Sequence, residues 1–356
     1  MAHDSSPARG RTDAASRVPV VAVTGHLGAG KTSLVNHLLR APGARLGVIV
    51  NDFGALNVDA GLVVGQVDEA AAISGGCICC LPDAGGLDDA LERLADPRLR
   101  LDAILIEASG VAEPAALARL IRFSGVDRVR AGGVVEVIDA VHHFETIDTR
   151  DDPPPRYRVP TLVVIGKSDL LPSDARAATV GRIAARVRSR NPRVQIVTAP
   201  AGRIDPALVF DVADEDDPAD QLPIARLLRE QAHAHGHGHD AHEHARSASI
   251  ALPAPVSPAA LVDLLERPPR GAYRMKGRVR VRGARGERGY VVNLVGWSIH
   301  VADLAAPPAV GELVAIGPDL DAEDADARLR ALVAGPAARP DAAGLRRLRR
   351  YRRLSD

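Results

Sequence analysis

Eight consecutive residues, Gly25-His26-Leu27-Gly28-Ala29-Gly30-Lys31-Thr32, are the part of this sequence best suited to hold an anion. A β-branched apolar run precedes them at residues 18–24, and a leucine stripe follows at Leu34, Leu38 and Leu39. Strand, glycine-rich loop and helix in that order form the setting in which Gly-x4-Gly-Lys-Thr wraps a phosphate chain. Glycines let successive N–H groups turn inward as an anion nest at a helix N-terminus. Lys31 would reach the β- and γ-phosphates, and the Thr32 hydroxyl would hold Mg2+. Nucleotide contacts are therefore expected from Gly25, Gly28, Ala29, Gly30, Lys31, Thr32 and Ser33.

Further groups follow at the ends of apolar runs. Asn51-Asp52-Phe53-Gly54 closes one run, and Asp52 is a second expected Mg2+ contact. Leu101-Asp102-Ala103-Ile104-Leu105-Ile106-Glu107 closes in an acid and leads into Ala108-Ser109-Gly110. A carboxylate so placed meets Mg2+ or its water shell, so Glu107 joins Lys31 as an expected catalytic residue, and the Gly110 N–H would face a γ-phosphate. Gly166-Lys167-Ser168-Asp169 follows another run. Asp169 there can accept from guanine N1–H and the exocyclic amine, which adenine cannot satisfy, while the Lys167 stem covers the base.

All three cysteines, Cys77, Cys79 and Cys80, fall within four positions after Ser74-Gly75-Gly76. That is a poor disulfide framework and a good thiolate metal site. Thiolates favour Zn2+, and Co2+ accepts similar ligands. Three sulfurs leave one tetrahedral position open, which suits a metal that is passed on. His233, His235, His237, His239, His242 and His244 are six of the twelve histidines, interleaved with Gly and charge. They read as auxiliary, loosely binding metal ligands on a linker.

The 356 residues carry 45 Lys plus Arg and 45 Asp plus Glu, so no global field argues for nucleic acid. Only three of the 45 cations are lysines, Lys31, Lys167 and Lys276, which marks positions needing a compact ammonium. No apolar run approaches membrane-spanning length, and residues 1–17 lack a secretory h-region, so a cytoplasmic chain is expected. Strands at residues 45–51, 101–107, 133–139, 160–165 and 194–197 alternate with helices at 83–94 and 174–190. The alternation predicts an α/β fold with a doubly wound, mainly parallel sheet. The expected order is a disordered lead (1–17), the phosphate-loop domain (18–212), an acidic and histidine-rich linker (213–248), a smaller α+β domain (249–336) and a basic tail (337–356) read as solvated.

Together, residues 25–32, Asn51-Asp52-Phe53-Gly54, Gly76-Cys77-Ile78-Cys79-Cys80, Glu107-Ala108-Ser109-Gly110 and Gly166-Lys167-Ser168-Asp169 resemble the CobW-type GTPases, metallochaperones related to the hydrogenase and urease nickel-insertion GTPases. The Cys-x-Cys-Cys stretch is the most specific mark of that resemblance. The strand with Arg274-Met275-Lys276-Gly277 is similar to the family's C-terminal domain. The resemblance implies a P-loop GTPase that uses GTP and Mg2+, binds zinc or cobalt at the cysteines and delivers it to a client metalloprotein. Two positions depart from the pattern: Gly166 stands where Asn begins the base motif, and Asp52 stands where Glu is usual. Gly166 favours an alternative, a metal store or sensor with a vestigial nucleotide site. An ATP-dependent small-molecule kinase is a third reading, disfavoured by the three thiols.

Overall fold

The computed structural model describes residues 17–50, 70–72 (backbone alone), 85–210, 245–283, 286–334 and 341–355. Asp52, the three cysteines, the six linker histidines and the lead to residue 16 lie outside the described residues.

The first domain runs β1 (Val18–Gly25), α1 (Lys31–Leu39), β2 (Leu46–Val50), β3 (Ala70–Ala72), α2 (Gly85–Leu94), β4 (Ala103–Glu107), α3 (Pro114–Arg122), β5 (Val129–Asp139), α4 (His143–Thr146), β6 (Leu162–Gly166), α5 (Ser173–Arg190) and β7 (Gln195–Ala199). Its seven strands lie in the order β3-β2-β4-β1-β5-β6-β7, and every pairing is parallel. The apolar runs are continuous because the central strands are covered on both faces. On one face Val21 and Val23 pack with Leu34, Val35 and Leu38 of α1. On the other, Val20 and Ala22 meet Leu87 and Leu91 of α2 and Leu117 and Ile121 of α3. Farther along that face, Val163 and Ile165 meet Ile183 and Val187 of α5.

Sequence reading passed over α3, although Pro114 occupies its first position and Leu117 and Ile121 share a face. It also shortened β5, which begins at Val129 rather than 133.

The second domain pairs five antiparallel strands in the order β11-β10-β9-β12-β8. These are β8 (Arg246–Leu252), β9 (Arg274–Gly283), β10 (Gly286–Val295), β11 (Ser298–Asp303) and β12 (Gly311–Gly317). Three helices, α6 (Pro258–Glu266), α7 (Ala322–Ala334) and α8 (Ala342–Ser355), share one core with the sheet through Leu261, Leu265, Leu329, Leu345 and Leu348. β8 starts inside the stretch assigned to the linker. The chain end read as solvated is helix α8: Leu345 and Leu348 are buried, and the Tyr351 hydroxyl donates to Glu266 Oε1 at 2.9 Å. Its arginines misled because they occupy the outer face of an amphipathic helix. Gly277 has a packing reason, since a Cβ there would lie 2.4 Å from the Glu312 carbonyl oxygen on β12.

The two domains touch. Tyr273 and Val295 enter the core beside α1. The Tyr273 hydroxyl lies 3.1 Å from Thr161 Oγ1, and Arg274 Nη1 donates to the Ala207 carbonyl at 2.8 Å. Phe210 is fully buried, and the Ala245 N–H donates to Asp205 Oδ2 at 2.8 Å. Among the described residues, no helix is long and apolar enough to cross a membrane.

Candidate functional site

A parallel sheet aims its loops at the carboxyl ends of its strands, and the candidate site gathers there. β1 ends at Gly25, the loop turns, and α1 begins at Lys31 with Gly30 in the left-handed region as its N-cap. Lys31 is 7% exposed, and its Nζ donates to the His26 carbonyl at 3.2 Å, folding the ammonium back over the loop. Thr32 Oγ1 donates to Glu107 Oε1 at 2.6 Å. Glu107 is buried at the end of β4, in register with Val23 on one side and Val50 on the other. A hydroxyl and a carboxylate in contact beside the phosphate loop are hard oxygen donors, a set that fits Mg2+.

Gly110 follows two residues after Ala108 and lies against the loop. A Cβ there would sit 2.5 Å from the Leu27 nitrogen and 2.6 Å from its Cα. Only glycine lets this backbone approach the phosphate loop so closely.

Lys167 and Asp169, the residues expected to meet a base, lie on the other flank. A cavity of about 210 Å³ is lined by Ala29, Gly30, Ser33, Lys167, Asp169 and Ala201. The exposed Asp169 accepts from the Ala201 N–H at 3.1 Å, so the loop after β7 joins the loop after β6. A second cavity of about 290 Å³ lies across Lys167, lined by His26, Gly28, Glu136, Asp139, His142 and His143. Sequence reading saw Asp139 as a strand end and missed it as a site residue; its place at the tip of β5, one strand from Lys167, was the available signal. Lys167 Nζ donates to Asp139 Oδ2 at 2.8 Å.

Behind that cavity lies a buried polar network. Glu136 is held by Arg156 at 2.7 Å and by the Thr24 hydroxyl. Burial, the largest influence, keeps its carboxyl above the usual range despite both partners. The His143 Nε2 is 2.6 Å from the Tyr157 hydroxyl, which donates to Asp148 Oδ2 at 3.1 Å. With the tyrosine proton committed to Asp148, His143 is the donor, which fixes the neutral Nε2–H tautomer. Burial accordingly pushes the His143 pKa down from 6.5 to about 4, against the pull of Asp148.

The consequence is a pH-dependent stability. The folded pKa lies below the unfolded one, so the unfolded chain takes up this proton first as pH falls. The contribution is complete above pH 6.5 and is lost progressively down to pH 4. The loss should reach about 3 kcal/mol. Urea titrations of wild type and His143→Gln at pH 7 and pH 4.5 measure it: the wild type should lose more stability between the two than the variant. Equal losses would remove His143 as the cause. His300, driven to about 3 by burial and by Arg130 and Arg17, acts in the same direction in both proteins.

The structure thus brings Lys31, Thr32, Glu107 and Gly110 together, and gathers Ala29, Gly30, Ser33, Lys167 and Asp169 around one cavity. Among the described residues, no three His, Cys, Asp or Glu side chains form a metal-binding group. The metal assignments to Cys77, Cys79, Cys80 and the linker histidines, and that of Asp52, fall outside the described residues.

Residues 19–197 match the family described as CobW/HypB/UreG, nucleotide-binding domain, and residues 245–333 match the cobalamin synthesis protein cobW C-terminal domain. The zinc chaperone YjiA of Escherichia coli is 30% identical over 202 residues, covering 54% of this chain and 61% of that protein. The zinc chaperone CobW of Pseudomonas aeruginosa is 31% identical over 222 residues, covering 53% of this chain and 58% of that one. The chain therefore spans about three-fifths of the length of these curated relatives. The crystal structure of Zn(II)-bound YjiA GTPase from E. coli covers 89% of this chain and 99% of its own at 20% identity, with a TM-score of 0.41.

Proposed function

The chain belongs to the CobW/HypB/UreG family, and from that membership we propose that it is a GTP-hydrolysing metallochaperone that binds zinc at Cys77, Cys79 and Cys80 and passes it to a client metalloprotein according to nucleotide state. Cobalt is the second candidate cargo, since it accepts similar ligands.

One observation carries this reading. Ala72, Val50, Glu107 and Val23 stand side by side in the register of β3, β2, β4 and β1. The strand that precedes the cysteines in sequence therefore ends on the same carboxyl side of the sheet as β1, where the phosphate loop begins. Neighbouring strands are about 4.8 Å apart, so Ala72 lies roughly 10 Å from Glu107. Cys77 comes five residues after Ala72, within reach of the same side. Closeness of that kind is what coupling between a γ-phosphate and a metal site requires.

The roles follow from position. The loop amides and Lys31 hold the β- and γ-phosphates, and the cavity at Lys167 and Asp169 takes the guanine base. Thr32 and Glu107 would hold Mg2+, with Asp52 as a further oxygen donor. That ion offsets charge developing on the phosphates when bound. GTP favours metal loading, and hydrolysis releases the metal to the client.

The test is Zn2+ affinity measured with GDP and with a non-hydrolysable GTP analogue. With the analogue bound, the protein should hold zinc at least about tenfold tighter, within the range of ordinary coupling between two sites. A Cys77/Cys79/Cys80 triple-serine variant should lose that binding in both states. Equal affinities in the wild type would remove the coupling; the metal store with a vestigial nucleotide site, the reading that Gly166 favours, would be marked by the absence of GTP turnover that depends on Lys31.

A further inference from the structure

The tip of β5 clasps the loop that follows β6. The Ala140 N–H donates to the Gly166 carbonyl at 3.0 Å, and Lys167 Nζ donates to Asp139 Oδ2 at 2.8 Å. The other carboxylate oxygen, Asp139 Oδ1, accepts from the Val141 N–H at 2.8 Å and from the His142 N–H at 3.3 Å. His142 Nδ1 lies 3.3 Å from Oδ2. Asp139 is thus seated by its own turn and in turn fixes Lys167. That lysine needs fixing, because its backbone is left-handed, with φ of +57°, a region that costs energy for any residue with a Cβ. The pair is part-enclosed, with the aspartate side chain 14% exposed and the lysine 34%. Two residues on, Asp169 lines the base-side cavity and is bonded to Ala201.

We infer that Asp139 is a positioning residue for the base-contacting loop: seated in the β5 turn, its carboxylate holds Lys167 in the left-handed conformation that presents Lys167 and Asp169 to the cavity, and so sets the preference for guanine over adenine. The inference rests on the nucleotide reading given above. The group is charged when needed: burial pushes the Asp139 carboxyl up, but hydrogen bonds from Lys167, Val141 and His142 outweigh it and leave it below its usual value. Gly166, in contrast, offers the loop no side-chain brace. A Cβ there would make only ordinary contacts, 3.6 Å from the Ala29 carbonyl oxygen and 3.7 Å from that of Ile138, so the backbone admits a side chain and two acceptors lie near it.

That geometry supplies a rescue experiment. Asp139→Asn, Gly166→Asn and the double variant are compared with wild type for affinity toward fluorescent GDP and ADP analogues. Amide hydrogen exchange at Leu170 and Leu171 is followed in the nucleotide-free proteins; these amides bond to Lys167 and Ser168 within the loop. Asp139→Asn should weaken GDP binding about tenfold, the scale of one lost charged hydrogen bond, and leave ADP binding within twofold. Exchange at Leu170 and Leu171 should quicken while α5 stays unchanged, and Gly166→Asn should restore most of both losses. An unchanged GDP-to-ADP ratio with unchanged loop exchange would overturn the inference. So would equal loss of both nucleotides with faster exchange throughout β5 and β6, which would mark a merely structural role. A wild-type chain that bound neither nucleotide would instead sink the nucleotide reading and the base preference drawn from it, while loop exchange in Asp139→Asn would still decide whether the clasp exists.

Discussion

Lys31→Ala should slow GTP turnover by roughly 100- to 1,000-fold, about 3–4 kcal/mol, the cost of removing one preorganised donor from developing charge. Lys31 is almost enclosed, and its ammonium is held over the loop by the His26 carbonyl. Its charge therefore acts where water screens it little. Lys31→Arg should not restore the rate, because a planar fork on a longer side chain cannot occupy the space of a compact ammonium. The chain uses arginine at 42 of its 45 cationic positions, so a lysine here is a departure from its own habit. Phosphate release under saturating GTP measures the effect. Zinc affinity in the GDP state should stay at the wild-type value, which separates lost chemistry from lost cargo binding. A variant turning over within threefold of wild type would show that the loop does not work on a triphosphate.

The largest effect on stability should come from Asp148. Its side chain is fully buried, accepts from Tyr157 at 3.1 Å and from Arg186 Nε at 2.9 Å, and faces His143. Burial pushes its carboxyl up, but Arg186 and Tyr157 outweigh that and hold it below the usual range. Asp148→Ala would leave Tyr157 and His143 without the acceptor at the end of their chain, and should cost about 3 kcal/mol. The figure sits at the lower end for a broken buried pair because Arg186 keeps the Asp151 carbonyl at 2.6 Å and the Arg150 carbonyl. Urea unfolding at pH 7 measures it. Asp148→Asn, which keeps the shape and one acceptor, should lose less. A loss under about 1 kcal/mol in Asp148→Ala would show that the network is not what ties α4 to α5.

The parts legible from sequence are those whose requirements are local. A phosphate loop is built from consecutive N–H groups, so its demand on the backbone is written in Gly25, Gly28 and Gly30 and in the strand and helix at either side. Apolar runs ending in Glu107 and Gly166 likewise announce buried parallel strands. Misreadings arose where two opposite signals share one segment. The arginines of α8 concealed its leucines, and the short stripe of α3 was lost between two stronger strands.

The contact between Thr32 and Glu107 joins residues 75 apart, and the clasp between Asp139 and Lys167 joins residues 28 apart. Residue types along the chain named both partners of the first; of the second they named Lys167 and left Asp139 as no more than a strand end. Both depend on which strands become neighbours: β4 lies beside β1, and β5 lies between β1 and β6. Strand order follows from how helices cover the two faces of the sheet, a property of the whole domain's packing. Composition and spacing therefore specified the chemistry this chain can offer, whereas the distances at which its groups meet came from the order of strands in the sheet.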